Sequence, residues 1–132
     1  ATVCDPDQVF DQQMDIFAPC ALGGVLTDTT AQALTAQLVC GAANSQLASD
    51  GVAQRLAERG ITYMPDYVVN AGGIISVASE IHGKPDAWRL ERLTGIAGRV
   101  DQMLTLARQT GRPTSDVADE MVQTMLSGRR AA

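Results

Sequence analysis

The chain has 132 residues, of which 45% are hydrophobic and 19% are charged, a composition typical of a folded domain with its own core. Its net charge of −5 argues against a nucleic-acid partner, because phosphate binding needs a basic surface. Since no apolar run approaches the roughly 20 residues of a membrane span and no signal-peptide pattern is present, we expect no membrane association.

The first half of the chain alternates short apolar segments with helical patterns. Helices are predicted after Asp5-Pro6-Asp7, after Thr27–Thr30 and after Asp50, because these residues are good helix caps or first-turn residues. Gly60 ends the third of these helices. Four segments are predicted as strands: Ala1–Cys4, Met14–Phe17, Gln37–Cys40 and Ile61–Met64. Strands that alternate with helices in this way are typical of parallel βαβ units.

Two adjacent glycines, Gly72 and Gly73, follow Asn70, which we predict to be the N-cap of a helix. Each glycine in a first turn costs roughly 1 kcal/mol relative to alanine. Glycines there leave the helix N-terminus open, either to a polar ligand or to a tightly packed neighbour. These residues alone leave both interpretations open.

The rest of the chain is predicted to be helical. A long helix begins at Lys84-Pro85-Asp86 and ends at Gly111. A last helix is capped by Thr114 or Ser115 and is expected to fray over Ser127–Arg130. The side chains expected to face inward are apolar and recur every three to four residues: Leu90, Leu93, Ile96, Val100, Leu104, Ala107, Val117, Met121, Val122 and Met125.

Three loops that follow predicted strands are small and nearly uncharged: Ala18–Gly24, Gly41–Asn44 and Asn70–Gly73. In a parallel sheet, loops after the carboxyl ends of strands lie on one edge, where ligands bind. The loops therefore favour a flat ligand held against backbone. The alternative is that strand-to-helix turns are simply rich in glycine.

The residues that would support several other chemistries are missing. The three cysteines, Cys4, Cys20 and Cys40, form no C-x-x-C pair, and His82 is the single histidine, so we expect no metal site. No serine motif accompanies His82, and neither a G-x-G-x-x-G turn nor a P-loop occurs. Scattered free thiols suit a reducing compartment, so we expect a cytoplasmic protein.

Three segments, Asp15–Gly24, Cys40–Asn44 and Ala57–Gly73, together resemble the Glu/Leu/Phe/Val amino-acid dehydrogenase family, and most closely its leucine, phenylalanine and valine branch. The resemblance implies an α/β fold, with a partial Rossmann-like parallel sheet of about three to four short strands followed by C-terminal helices. Residues 1–82 would be the later part of the NAD-binding domain, and residues 83–132 would be helices packing on it. The complete protein would oxidatively deaminate an L-amino acid to a 2-oxo acid, with NAD as cofactor.

The resemblance also implies that this chain is a fragment. The family's Gly-rich turn and its N-terminal catalytic domain, with the catalytic lysines, would lie before Ala1, so we assign no catalytic residue here and expect the isolated chain to be inactive. We expect the complete protein to be a homo-oligomer. The alternative hypothesis is a stand-alone, non-catalytic module that binds a nucleotide or assembles with itself.

Carried over residue by residue, the resemblance implies a cofactor site made by small residues and amides. Cys20 and Ala21 would line the ribose–pyrophosphate path, and Ala43 and Asn44 would approach the nicotinamide. Asn70 would sit where the nicotinamide meets the substrate. For Cys20 we expect packing as a small residue and not a nucleophile, because no basic residue is near it in sequence.

The same resemblance implies that Ile74 and Val77 border the pocket for the substrate side chain. Their apolar character favours an apolar substrate over glutamate, whose carboxylate would need a polar partner. The alternatives are that both residues are core and that Asn44 and Asn70 are only caps. Ser45 departs from the family, which usually has a second asparagine there.

Overall fold

The structure is a computed structural model that describes residues 2–130, with side chains described as far as Gly128. A 3-10 helix, Pro6–Asp11, precedes a sheet of three short strands. The strands are β1 (Ile16–Phe17), β2 (Leu38–Val39) and β3 (Thr62–Tyr63), paired in parallel in the order β1-β2-β3. The predicted α/β class with a partial parallel sheet is confirmed.

Two helices connect the strands and four follow them within the described residues. The connecting helices are α1 (Asp28–Ala33) and α2 (Gly51–Glu58). The later helices are α3 (Asp66–Val69), α4 (Gly72–Ile81), α5 (Asp86–Thr110) and α6 (Thr114–Arg130). In the described part of the chain, no helix is both long enough and apolar enough to cross a membrane.

The strands separate two hydrophobic cores, because successive side chains of a strand point to opposite faces of the sheet. Phe17, Val39 and Tyr63, which align across the sheet, belong to the first core, under α1 and α2. Leu38 and the residues that follow β2 and β3 pack into the second core, formed by Met103, Ala107, Val117 and Ala118 of α5 and α6. Helices thus cover both faces of the sheet, and the division at residue 82 stays a prediction.

The two connecting helices lie side by side and are joined at their ends. Thr27 caps α1 with a capping box, since Thr30 N donates to its hydroxyl and Thr27 N donates to the Thr30 hydroxyl. Arg59, just after α2, donates from Nη1 to the carbonyls of Leu34, at 2.9 Å, and Ala31. One guanidinium therefore satisfies carbonyls at the end of α1 that the helix leaves unpaired.

The predictions for the N-terminal segment and for α2 need correction. Thr2–Cys4 form no strand, and Ala1 lies outside the described residues. Asp5 does cap a helix, since its Oδ1 accepts from Asp7 N at 3.0 Å, but that helix is 3-10 and ends at Asp11. Asp50 precedes α2 in a helical conformation and makes no capping hydrogen bond.

The prediction that Asn70 is an N-cap is wrong. Asn70 is the C-cap of α3, a four-residue helix that sequence patterns did not reveal, and Ala71 precedes α4. Pro65 marks the break after β3, and its fixed φ is well suited to a helix start. The Asn70 side chain is thereby free to contact another loop.

The last two helices differ from the prediction in which side chains they bury. Val117 is buried, but Val122, Met125 and Leu90 are exposed. α6 continues to Arg130, and fraying of its last residues stays a prediction. Thr114 begins α6, and its hydroxyl donates to the Tyr63 carbonyl, which ties the helix to the end of β3.

Candidate functional site

The segments after the three strands lie at one edge of the sheet, which we call the carboxyl edge: the loops of residues 18–25 and 40–47, and residues 66–70, which form α3 and its C-cap. The two loops are joined by backbone hydrogen bonds. Ala43 N donates to Pro19 O at 2.9 Å, and Gly24 N donates to Ser45 O at 2.8 Å. The predicted convergence of Ala18–Gly24 with Gly41–Asn44 is therefore present, whereas Asn70–Gly73 is not a loop but the end of α3 and the start of α4.

Two glycines of the carboxyl edge are explained by this packing. A Cβ atom on Gly41 would lie 2.2 Å from Pro19 O, and one on Gly23 would lie 2.7 Å from Asn44 O. Both distances are too short for any side chain, and the clashing atoms are backbone. Gly23 and Gly41 thus allow two loops to touch, so their lack of a side chain needs no ligand to explain it.

The glycines at the start of α4 have no such constraint. A Cβ on Gly72 would meet only Leu93 Cδ2, at 3.4 Å, and one on Gly73 would meet nothing within 4 Å. The described residues therefore leave the first turn of α4 open next to Gly73, and a tightly packed neighbour does not explain this glycine.

Gln46 fixes the loop after β2 from inside. It is 0% exposed, and its Nε2 donates to Gly41 O and Ala43 O, both at 2.9 Å. Gln46 is not predictable from the sequence, because a lone glutamine after a small-residue loop carries no distinctive pattern. Its two hydrogen bonds hold the backbone that precedes Asn44.

Asn44 and Asn70 meet across the carboxyl edge. Asn70 Nδ2 donates to Asn44 Oδ1 at 2.7 Å and to Ala42 O at 3.3 Å. Because a backbone carbonyl can only accept, the contact with Ala42 fixes which end of the Asn70 amide faces the loop. Among the described residues, Asn44 Nδ2 and Asn70 Oδ1 have no hydrogen-bond partner. One donor group and one acceptor group therefore remain for a ligand.

Asp66 holds the same loop from the other end of α3. Its Oδ2 accepts from Ser45 N at 3.0 Å and its Oδ1 accepts from Tyr63 Oη at 3.1 Å. Burial, and then the charge of Asp66, raise the pKa of Tyr63 above its ordinary value. From the sequence, Asp66 is predictable only as part of a strand break, since its contact with Ser45 depends on the fold.

The remaining predicted cofactor residues lie in different environments. Cys20 and Ala21 are exposed, so the expected packing of Cys20 is wrong; its Sγ accepts only a weak hydrogen bond from Ala42 N, at 3.5 Å. Ala43 is buried, and its backbone N–H and carbonyl are both bonded within the loops, to Pro19 and Gln46.

The predicted substrate-pocket residues are on the surface of the described structure. Ile74 is 68% exposed and Val77 is 48% exposed, on the first two turns of α4 beyond Asn70. Within residues 2–130, the alternative that both are core residues is therefore wrong. Large exposed apolar side chains beside a polar pair indicate a surface that contacts something else.

Tyr67 connects α3 to the C-terminal helix. Its hydroxyl donates its one hydrogen to Asp119 Oδ1 at 2.7 Å, and Ser115 O lies 3.4 Å from the same oxygen. Burial of the ring raises the pKa of Tyr67 above its ordinary value, and the hydrogen bond and charge of Asp119 raise it further. Over residues 2–130, no group of three or more histidine, cysteine or acidic side chains is arranged to hold a metal ion.

Comparison with protein families matches residues 1–125 to Glutamate/Leucine/Phenylalanine/Valine dehydrogenase. The chain belongs to this family. It is 46% identical over 134 aligned residues to a valine dehydrogenase from Streptomyces albus, across 98% of this chain and 36% of that protein. It is 38% identical over 130 residues to a leucine dehydrogenase from Bacillus subtilis, across 98% of this chain and 36% of that protein.

The fold matches that of a solved relative. The crystal structure of L-tryptophan dehydrogenase from Nostoc punctiforme superposes with a TM-score of 0.92 at 36% identity, across 100% of this chain and 40% of that chain. The expected family and its leucine and valine branch are confirmed. The chain spans 36% of the length of the curated relatives named above.

Proposed function

We propose that this chain supplies the cofactor-facing edge of an NAD-dependent amino-acid dehydrogenase. The complete polypeptide would oxidise an L-amino acid with an apolar side chain to a 2-oxo acid and ammonia. The observation that carries the proposal is the hydrogen-bonded pair of Asn44 and Asn70, 2.7 Å apart, with the exposed Ile74 and Val77 following on α4.

The residues of the carboxyl edge fit a nicotinamide cofactor. The unused Asn44 Nδ2 and Asn70 Oδ1 provide one donor and one acceptor, the complement of a carboxamide or of a pair of ribose hydroxyls. Exposed Cys20 and Ala21 have small side chains, which would let an extended ligand approach the backbone. When bound, NAD would supply the acceptor for the hydride removed from the amino acid.

The proposed roles of the chain's own residues are to bind and orient. Asn44 and Asn70 would hold the nicotinamide side, and Ala43 would support them from beneath. Ile74 and Val77 would cover an apolar substrate side chain and exclude water from it. We assign no general acid or base here and propose that these groups belong to an N-terminal catalytic domain of the complete polypeptide, acting as a cytoplasmic homo-oligomer.

The test is an activity screen with the complete polypeptide that contains this sequence. Purified protein is supplied with NAD and, separately, with L-valine, L-leucine, L-phenylalanine, L-tryptophan or L-glutamate, and NADH formation is measured. We expect turnover with one or more of the apolar amino acids and little with glutamate. No NADH formation with any of them would overturn the proposal, and nucleotide binding without turnover would favour the non-catalytic module.

A matched pair of substitutions tests the pocket assignment. Ile74 and Ile81 lie on the same helix, and Ile81 is 74% exposed, but Ile74 is in the first turn, close to Asn70 in the chain, whereas Ile81 is the last residue of α4. We expect Ile74→Ala to change the ratio of kcat/KM between small and large substrates by roughly 10-fold, the effect of a few methylene groups in an apolar pocket. Ile81→Ala should leave that ratio unchanged.

A further inference from the structure

We infer that Asp66 is a positioning residue, which holds Asn44 in place for the cofactor through the backbone N–H of Ser45. The inference rests on the proposed function, since the position of Asn44 affects activity only if the amide pair binds the cofactor. The Asp66 carboxylate makes no hydrogen bond to the side chain of Asn44 or Asn70; only its backbone carbonyl meets Asn70, accepting from Asn70 N at 2.8 Å across the single turn of α3.

Hydrogen bonds from both ends of α3, made by Asp66 and Asn70, hold the loop after β2, and we call this arrangement the clamp. At the start of α3, Asp66 Oδ2 accepts from Ser45 N at 3.0 Å. At the end of α3, Asn70 Nδ2 donates to Asn44 Oδ1 and Ala42 O. The single turn of α3 is therefore hydrogen-bonded to residues 42–45 at two points. Loss of either set of hydrogen bonds would allow the Asn44 side chain to change its orientation.

Ser45 needs such a restraint because of its backbone. Its φ of 51° is the only positive value among the non-glycine residues that the structure describes. A left-handed conformation is unfavourable for a serine by roughly 1–2 kcal/mol, so the peptide between Asn44 and Ser45 is prone to rotate. The Asp66 carboxylate accepts that N–H in a charge-assisted hydrogen bond, which is stronger than a neutral one.

Tyr63 provides the control. Its hydroxyl donates to the other oxygen of Asp66, so Tyr63→Phe removes one hydrogen bond from the carboxylate but leaves the bond to Ser45. Asp66→Ala removes both. Asp66→Asn keeps both, since its Oδ1 can accept from Ser45 and its Nδ2 can donate to Tyr63.

The experiment uses the complete polypeptide and steady-state kinetics with varied NAD. We expect Asp66→Ala to lower kcat/KM for NAD by at least about 10-fold, the loss that follows from one charged hydrogen bond. Asp66→Asn should restore most of it, and Tyr63→Phe should stay within about threefold. If Asp66→Ala stays within threefold, or Tyr63→Phe falls equally, the inference is wrong.

A second measurement does not depend on turnover. Hydrogen–deuterium exchange of the peptide that covers residues 41–48 should be faster in Asp66→Ala than in the unchanged protein, and unaltered in Tyr63→Phe. Absence of activity in the unchanged protein would sink the proposed function while this exchange pattern still supports the clamp. Equal exchange in all three proteins would overturn the clamp even if the enzyme is active.

Discussion

Asn70 Nδ2 lies 2.7 Å from Asn44 Oδ1, so the segments after β2 and β3 share one pair of side-chain amides. Each amide uses one end for this contact or for Ala42 and keeps the other end for a ligand. A substitution of either residue therefore alters both the hydrogen bond that connects the two segments and the groups that would face the cofactor.

Replacement of Asn70 by aspartate should separate these effects from simple loss of stability. In Asn70→Asp, a carboxylate would face Asn44 Oδ1 and Ala42 O, both acceptors, and repulsion would displace it. We expect kcat/KM for NAD in the complete polypeptide to fall by about 10- to 100-fold, as for a lost hydrogen bond of 1.5–3 kcal/mol.

The control for this charge change is Gln102→Glu, an exposed position on α5. It alters an amide to a carboxylate away from the carboxyl edge and should leave the kinetics unchanged. Equal losses in the two variants would show that net charge, and not the amide pair, controls cofactor use.

Gly41 should tolerate no side chain. In Gly41→Ala the new Cβ would lie 2.2 Å from Pro19 O, and since the obstacle is backbone, the two loops would have to separate. We expect a loss of about 1–3 kcal/mol in the free energy of unfolding, measured by urea denaturation. Gly98→Ala, inside α5 with nothing within 4 Å of the new Cβ, should instead be neutral or stabilising by up to about 1 kcal/mol.

Ser45 is a position where one substitution should increase stability. Asparagine is several-fold enriched among non-glycine residues at positive φ, and the exposed position of Ser45 leaves space for its larger side chain. We expect Ser45→Asn to raise the free energy of unfolding by a few tenths to about 1 kcal/mol, and Ser45→Val to lower it. The opposite order in thermal denaturation would contradict the left-handed conformation seen here.

Tyr67 should contribute to alkaline stability. Its pKa is raised in the folded state by burial and by Asp119, so the unfolded chain loses this proton at a lower pH than the folded one. The stabilisation is complete below the unfolded pKa of about 10 and is lost as pH rises through the folded pKa. We expect Tyr67→Phe to lower stability at neutral pH and to reduce its decline above pH of about 10.

The pKa of Tyr63 is also raised in the folded state. The decline of stability at alkaline pH should therefore be reduced in Tyr67→Phe but not abolished. The double variant, Tyr63→Phe with Tyr67→Phe, should remove most of it. An unchanged alkaline slope in the double variant would mean that other groups control stability there.

Sequence patterns predicted the elements that depend on local chemistry. The apolar segments around Ile16, Leu38 and Thr62 became parallel strands, and Gly60 and Gly111 ended helices in the left-handed conformation that their lack of a side chain permits. The convergence of the loops after β1 and β2 followed from the parallel arrangement alone, whereas the predicted third loop, Asn70–Gly73, is the end of α3 and the start of α4. These predictions needed no knowledge of which residues touch.

The failures occurred where contacts between distant residues decide the structure. Asn70 has the chemistry of an N-cap, but its amide is used by Asn44 and Ala42, which the chain brings near only after folding. Asp66 and Gln46 hold the loop after β2 in place, Asp66 through Ser45 N and Gln46 through the carbonyls of Gly41 and Ala43. No local sequence pattern predicts these hydrogen bonds. Helix periodicity could not show that Val122 and Met125 would face away from the sheet.

The two cores differ in when they become available during synthesis. The first contains no residue after Tyr63, whereas the second needs Met103, Ala107, Val117 and Ala118. Because a ribosome makes the chain from its N-terminus, the β1–β3 unit can close around the first core while α5 and α6 are still being translated. Until those helices emerge, Leu38 and Met64 on the other face of the sheet are uncovered, and this is the interval in which a nascent chain would need protection from aggregation.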